Sequence, residues 1–97
     1  MATYIALINW TDQGVKNARD SVSRYQEART AFEPLGIQFQ SAFWTTGQYD
    51  VVVVLEAPDD ETLSVAILKL AAQGNTRTQT FRAFNEEEMK GIAEKLG

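Results

Sequence analysis

The residues best suited to chemistry in this sequence are one carboxylate, one guanidinium and three aromatic side chains. They are Tyr4, Trp44, Tyr49, Asp50 and Arg82. Asp50 lies one residue after a predicted tight turn at residues 46–48, and a partly buried carboxylate at that position could shuttle a proton. Structural roles also fit, because Asp commonly accepts backbone N–H bonds from its own turn, and Asp50 could instead pair with Arg82. The five residues form a candidate ligand site in which no catalytic role is assigned.

The composition removes several classes of site. The 97 residues include neither Cys nor His, which excludes disulfides, classical zinc sites and Ser-His-Asp triads. We expect no metal and no cofactor. The net charge is -4 and the nine basic residues are scattered, so we expect no nucleic-acid partner. The longest uninterrupted apolar run, residues 51–55, is too short for a membrane span. With no signal peptide in view, we expect a cytoplasmic protein.

A single α+β domain over residues 1–97 is expected to position the candidate residues. Alternating apolar residues indicate strands, and apolar spacings of three and four indicate helices. Thr11 or Asp12 can cap the first helix, Pro58 suits the first position of the second, and Asn85 can cap the third. The predicted elements are a strand over 3–10, a helix over 11–32, strands over 37–45 and 49–56, a helix over 58–73, a strand over 75–84 and a helix over 86–96.

The order β-α-β-β-α-β predicts a ferredoxin-like fold, an antiparallel sheet with two helices on one face and a C-terminal helix. Right-handed crossovers are expected to place the first and third strands side by side and parallel. The hairpin places the second strand beside the third, and the fourth strand lies beside the first. The starts of strands one and three then meet the ends of strands two and four. We therefore expect the five candidate residues to gather at one end of the sheet.

The two central strands are apolar on both faces. Residues 4–10 of the first strand and 51–55 of the third carry apolar side chains on either side. Two helices cover only one face, and exposed apolar patches on monomers rarely exceed a few hundred Å². We therefore predict a homodimer closed sheet on sheet through the open face, with a higher oligomer as an option. The alternative is a monomer whose open face is covered by the terminal helix.

The hairpin sequence Gly47-Gln48-Tyr49-Asp50 and the following residues 51–60 resemble the GYD domain family. Residues 3–17 are similar as well, and the likeness extends over about residues 3–90. The family signature has Gly directly before Tyr, whereas Gln48 intervenes here, so Tyr49 and Asp50 are the strict matches. The resemblance implies a ferredoxin-like fold of the dimeric α/β-barrel class.

Three functions fit these features. The first is a dimeric domain that binds a small molecule or serves as an accessory or assembly unit. The second is a cofactor-free enzyme of the dimeric α/β-barrel class, monooxygenase-like or isomerase-like, that uses Asp50 and a Tyr. The third is a ligand-sensing module like that of leucine-responsive regulators, without the DNA-binding part. A closed polar pocket beside Asp50 would favour the enzyme, whereas an Asp50 held in hydrogen bonds would favour binding or a structural role.

Overall fold

A computed structural model describes residues 1–97, which form four strands and four α-helices. They are β1 (Ala2–Trp10), α1 (Asp12–Lys16), α2 (Ser21–Phe32), β2 (Gln38–Trp44), β3 (Val51–Ala57), α3 (Asp60–Ala72), β4 (Thr76–Ala83) and α4 (Glu86–Glu94), with 3₁₀ turns at Ala18–Asp20 and Glu33–Leu35. The sheet order is β2-β3-β1-β4 and every neighbouring pair is antiparallel. The α+β class is as predicted, and the arrangement is compatible with a ferredoxin-like fold. None of the helices has the length and apolar composition that a membrane crossing requires.

The pairing of β1 with β3 is antiparallel, so the prediction of a parallel pair is wrong. Ala2 lies opposite Ala57, and Ile8 lies opposite Val51. A helical crossover makes β1 and β2 parallel, and the hairpin makes β3 antiparallel to β2. Strand β3 must therefore run antiparallel to β1. This direction decides which end of the sheet each candidate residue occupies.

The predicted helix over 11–32 is divided in two. The short α1 begins at a Thr11 cap and ends at Asn17, and a 3₁₀ turn leads into α2. The Arg24 guanidinium donates to the Asn17 carbonyl at 2.8 Å, which gives this carbonyl at the end of α1 a hydrogen-bond partner. Gly14 packs against the backbone of Asn75, the residue before β4. A Cβ added at Gly14 would lie only 2.0 Å from the Asn75 carbonyl oxygen. Because of this break, Val15 stays exposed rather than joining the core stripe.

A β-bulge in β2 changes the predicted side-chain alternation. The register shifts between Phe39 and Ser41, so that Phe39 lies opposite Leu55 and Trp44 opposite Val51. Phe39 and Trp44 therefore share one face of the sheet, although simple alternation assigns them to opposite faces. The alternation is interrupted because the bulge at residue 40 adds one unpaired residue to β2.

The two faces of the sheet differ in their cover. On the helix face, the buried residues Tyr4, Ala6, Val51, Val53, Leu55 and Ala57 pack with Ala28, Phe32, Ile37, Leu63 and Ala66. On the opposite side, which we call the open face, lie the apolar side chains Ile5, Leu7, Phe43, Val52, Val54 and Phe81. Helix α4 has no buried residue. It also makes few contacts with the strands, so no helix of this chain packs closely over the open face.

Candidate functional site

The sheet register separates the five predicted site residues into two groups. Tyr4 pairs with Arg82 at the end of the sheet where β1 begins. Trp44 pairs with Val51, next to Tyr49 and Asp50, beside the last residues of β1. The residues of β1 that mark the two ends, Tyr4 and Trp10, lie six residues apart, which is roughly 20 Å along a strand. The prediction of one gathered site is therefore wrong, because it rested on the parallel pairing of β1 and β3.

Asp50 binds strand β1 through both its backbone and its side chain. Its amide donates to the Ile8 carbonyl at 2.9 Å, and its carboxylate Oδ2 accepts the Trp10 amide at 2.9 Å. Its carbonyl accepts the Thr45 amide at 2.8 Å, which closes the turn. The carboxylate thus continues the β1–β3 ladder beyond its last strand pair, instead of capping its own turn or pairing with Arg82.

Tyr49 lies on the open face. Its hydroxyl donates to Gln79 Oε1 at 2.9 Å. Gln79 belongs to β4 and pairs with Leu7 of β1, which in turn pairs with Val52. The Tyr49 side chain must therefore reach across β1 to make this bond. The neighbouring residues Tyr49 and Asp50 consequently serve different parts of the sheet, one spanning the open face and the other fixing the strand end.

A cavity of about 80 Å³ opens on the helix face at the same end of the sheet. Tyr25 of α2 packs edge-on against Trp44, with ring centroids 5.7 Å apart, and also contacts Phe39 at 5.6 Å. Nine of the fourteen lining residues are apolar, and polar groups of Ser21, Arg24, Gln73, Asn75 and Thr76 complete the wall. Sequence reasoning missed this site because the bulge, which has no sequence signal of its own, turns Trp44 toward the helices.

The other end of the sheet carries a cluster around Tyr4. The buried Tyr4 hydroxyl donates to the carboxylate of Asp60, the first residue of α3. This hydrogen bond, reinforced by burial, raises the pKa of Tyr4 above its ordinary value of 10.0. The Arg82 guanidinium lies 5.9 Å from the Tyr4 ring centroid and 4.5 Å from that of Phe84. Asp60 was not among the predicted site residues, since an acidic residue in a first helical turn usually faces water.

Arg82 is also engaged at the start of α4. Its Nη2 lies 3.3 Å from Glu88 Oε2, and its Nη1 donates to the Thr3 carbonyl at 3.2 Å. Glu88 completes a capping box with Asn85, as their mutual bonds of 2.8 and 3.1 Å show. The Asn85 amide, helped by Arg82, lowers the pKa of Glu88 below its usual 4.5. The predicted Asn85 cap is confirmed, and Arg82 pairs with Glu88 rather than with Asp50.

The remaining electrostatic features belong to helix caps. The Asp59 carboxylate accepts the Thr62 amide at 2.7 Å and caps α3. That bond lowers the pKa of Asp59 below 3.8. The predicted start of this helix at Pro58 therefore shifts by two residues, because Asp59 keeps extended backbone as the cap. No group of three or more acidic side chains lies close enough together to hold a metal ion.

Comparisons with known proteins identify the relatives of this chain. The family profile described as "GYD domain" matches residues 4–93. A Thermus thermophilus protein named "Glutamine synthetase and cystathionine beta-lyase binding protein" is 33% identical over 84 residues, covering 86% of this chain and 88% of its own length. The crystal structure of a protein from Thermus thermophilus matches with a TM-score of 0.54 and 28% identity, covering 88% of this chain and 95% of the other.

Proposed function

Because this chain belongs to the GYD domain family, we propose that it is a homodimeric accessory protein that acts by binding other proteins. The open face closes the dimer, sheet against sheet, and leaves the helical surfaces of both protomers available to partners. The related Thermus protein is named for binding two enzymes. By analogy, the partners proposed for this chain are folded proteins.

The observation that carries the proposal is the uncovered apolar open face. Phe43 is 61% exposed and Phe81 is 51% exposed, and they flank the valines and leucine of the two central strands. Four strands and about six residues of length give a face of roughly 19 by 20 Å, on the order of 400 Å². The largest apolar patch on a typical monomer covers about 300–600 Å² and is often functional, so a mostly apolar face of this size is a candidate binding surface. A second copy supplies a matching surface under twofold symmetry.

The ends of the open face are polar, as expected at the rim of an interface. Glu56 and Gln38 lie at one end, where β3 pairs with β2. Arg77 lies at the other end, opposite Asn9. The apolar centre and the polar ends together support an interface of limited extent, with the Tyr49–Gln79 hydrogen bond near its margin.

Engagement of the reactive side chains supports binding rather than catalysis. The Asp50 carboxylate is held by the Trp10 amide, the Tyr4 hydroxyl by Asp60, and the Arg82 guanidinium by Glu88. A catalytic base or acid must instead face a substrate within hydrogen-bond distance. Each of these groups has a structural bond that accounts for its position.

The dimer is tested by placing a charge on the open face. We expect the unmodified protein to have at least twice the 10.8 kDa chain mass in light scattering, and Phe43→Asp and Phe81→Asp each to lower that mass by removing the sheet contact. Val22→Asp is the matched control, because Val22 is exposed to the same degree as Phe81 but lies on α2. Single-chain mass for the unmodified protein at micromolar concentration would contradict the proposal.

The cavity of about 80 Å³ beside Trp44 favours a second candidate function, the binding of a small carboxylic acid with a short aliphatic tail. The walls suit an apolar tail, and Arg24 keeps guanidinium hydrogens available because it uses two donor nitrogens on the carbonyls of Asn17 and Gly14. A guanidinium has five N–H donors in a geometry that matches a carboxylate.

This second function has a direct optical readout. The two tryptophans of the chain, Trp10 and Trp44, both line the cavity. We expect butyrate, used as the probe, to change tryptophan fluorescence in a saturable manner, and Arg24→Gln to weaken that response. Arg19→Gln, an exposed arginine that does not line the cavity, is the control. No fluorescence change up to the solubility limit of the probe would exclude this ligand class.

A further inference from the structure

Helix α4 presents an apolar stripe that nothing in its own protomer covers. Met89, Ile92 and Leu96 recur at spacings of three and four, with Leu96 held in the last turn by its 3.1 Å bond to the Ala93 carbonyl. All three are exposed, and Leu96 is 82% exposed. The radius of gyration is 14.6 Å, whereas a compact chain of this length has about 12.5 Å. Helix α4 makes few contacts with the other elements, so it contributes to this extended shape.

A second apolar stripe lies on the outer side of α3. Leu63, Ala66, Ile67 and Leu70 of that helix pack into the core. On the other side of the helix, Val65, Leu68 and Ala72 are exposed, and Leu68 is 68% exposed. Ser64 and Lys69 are exposed beside these apolar residues, so the outer side of α3 is amphipathic. The outer side of α3 thus has the composition of a surface that meets another helix.

The two stripes match each other in length and in chemistry. Residues 65–72 and 89–96 each span seven residue steps, about 10 Å of helix. We propose that the α4 stripe of one copy docks antiparallel on the outer α3 stripe of a second copy. The docked pairs are Val65 with Leu96, Leu68 with Ile92, and Ala72 with Met89.

Charge selects the antiparallel orientation. Helix α3 begins with Asp60 and Glu61 and has Lys69 in its last turn. Helix α4 begins with Glu86 and Glu87, and Lys95 follows its end. Antiparallel docking brings the acidic start of α4 toward Lys69 at the end of α3, while Lys95 offsets Glu94 at the other end of α4. Parallel docking would place the two acidic starts side by side, where like charges repel.

The proposed contact reaches a copy outside the sheet dimer. The outer side of α3 faces away from the sheet, whereas the open face is on the opposite side of the sheet. Two packed sheets and a helix layer place the partner's α3 surface roughly 30 Å from the open face, while α4 is about 14 Å long. The α4 contact therefore joins sheet dimers into a larger assembly. It does not rest on the proposed dimer, since each contact uses its own surface.

The test uses the absence of cysteine from the chain. Ala72→Cys protein and Met89→Cys protein are prepared separately, mixed, and treated with a short bismaleimide crosslinker. We expect a crosslinked pair containing one chain of each kind, distinguished by a small mass tag on one variant. Because each chain carries a single thiol, no crosslink within one chain is possible.

A mixture of Val65→Cys with Met89→Cys is the matched control, and we expect it to give no crosslinked pair. Absence of the Ala72–Met89 product overturns the proposal, and so does preferential crosslinking of the Val65–Met89 mixture. Crosslinking of the Met89→Cys protein alone would also overturn it, because that product would show α4 docked on α4.

A second measurement, light scattering, reports the size of the assembly. Ile92→Glu should reduce the assembly to the sheet dimer, while Lys90→Glu, on the polar side of α4, should leave it unchanged. Phe43→Asp reports separately on the sheet contact.

Discussion

Replacement of Asp50 tests whether its carboxylate holds the sheet together. Asp50→Ala removes the acceptor of the Trp10 amide, which now lies 2.9 Å from Oδ2. A hydrogen bond to a charged group contributes about 1.5–3 kcal/mol. Asp50 is half-buried, so we take a value near the lower end and expect a loss of about 2 kcal/mol in the free energy of unfolding. For a domain of this size that corresponds to roughly 8–16 °C in Tm.

Asp50→Asn distinguishes the contribution of the carboxylate's charge from that of the hydrogen bond to the Trp10 amide. The Asn side chain retains an oxygen that can accept the Trp10 amide, but it loses the charge that makes the bond roughly twice as strong. We therefore expect a loss of about 1 kcal/mol in the free energy of unfolding, intermediate between the parent protein and Asp50→Ala. A purely catalytic carboxylate would give no such order, because neither change would affect stability.

Urea unfolding at a fixed protein concentration measures these differences, since self-association would otherwise alter the apparent stability. Asp20→Ala is the control, because Asp20 is exposed and its side chain makes no capping bond. If Asp50→Ala unfolds within about 0.5 kcal/mol of Asp20→Ala, the typical range for neutral surface changes, the Trp10 bond is not structural and the reasoning fails. Equal losses for Asp50→Ala and Asp50→Asn would refute the role of charge.

Four further changes test other contacts. Gly14→Ala should lower Tm well beyond Gly91→Ala, because a Cβ at Gly14 meets the Asn75 carbonyl whereas a Cβ at Gly91 has nothing within 4 Å. Thr80→Val should be neutral or stabilising by about 1 kcal/mol in urea unfolding, since the buried Thr80 hydroxyl has no hydrogen-bond partner; a clear loss would contradict this. The raised pKa of Tyr4 gives stability below pH 10.0 that is lost as pH rises through the higher folded value, so Tyr4→Phe should flatten the alkaline limb of a stability–pH curve. The lowered pKa of Glu88 gives stability above pH 4.5 that is lost as pH falls through the folded value, so Glu88→Gln should flatten the acid limb, and an unchanged limb would rule out this contribution.

Local signals in the sequence were sufficient for the element order and for several helix ends. Asn85 precedes the acidic first turn of α4 and caps it, and Gly36 ends the turn after α2 with a φ of 83°. These features depend on neighbouring residues, so the sequence displays them directly. The α+β class follows from the same local patterns.

Features set by distant contacts were not predictable in the same way. The end of α1 depends on Arg24, seven residues beyond the Asn17 carbonyl that it binds, and on the approach of Gly14 to Asn75. The bulge near residue 40 has no local signature, yet it decides that Trp44 faces the cavity. The antiparallel pairing of β1 and β3, in contrast, was available from connectivity alone, since one crossover and one hairpin fix the directions.

The contacts of Tyr49 and Asp50 explain how the hairpin determines the proposed interface. Asp50 binds Ile8 and Trp10 by backbone and side chain, so it fixes β3 against β1 at a single register. A slip of one residue would turn Val52 and Val54 from the open face toward the helices. It would also separate the Tyr49 hydroxyl from Gln79, whose 2.9 Å bond spans the same face. The carboxylate at Asp50 therefore controls which side chains form the proposed dimer surface, although it does not lie in that surface itself.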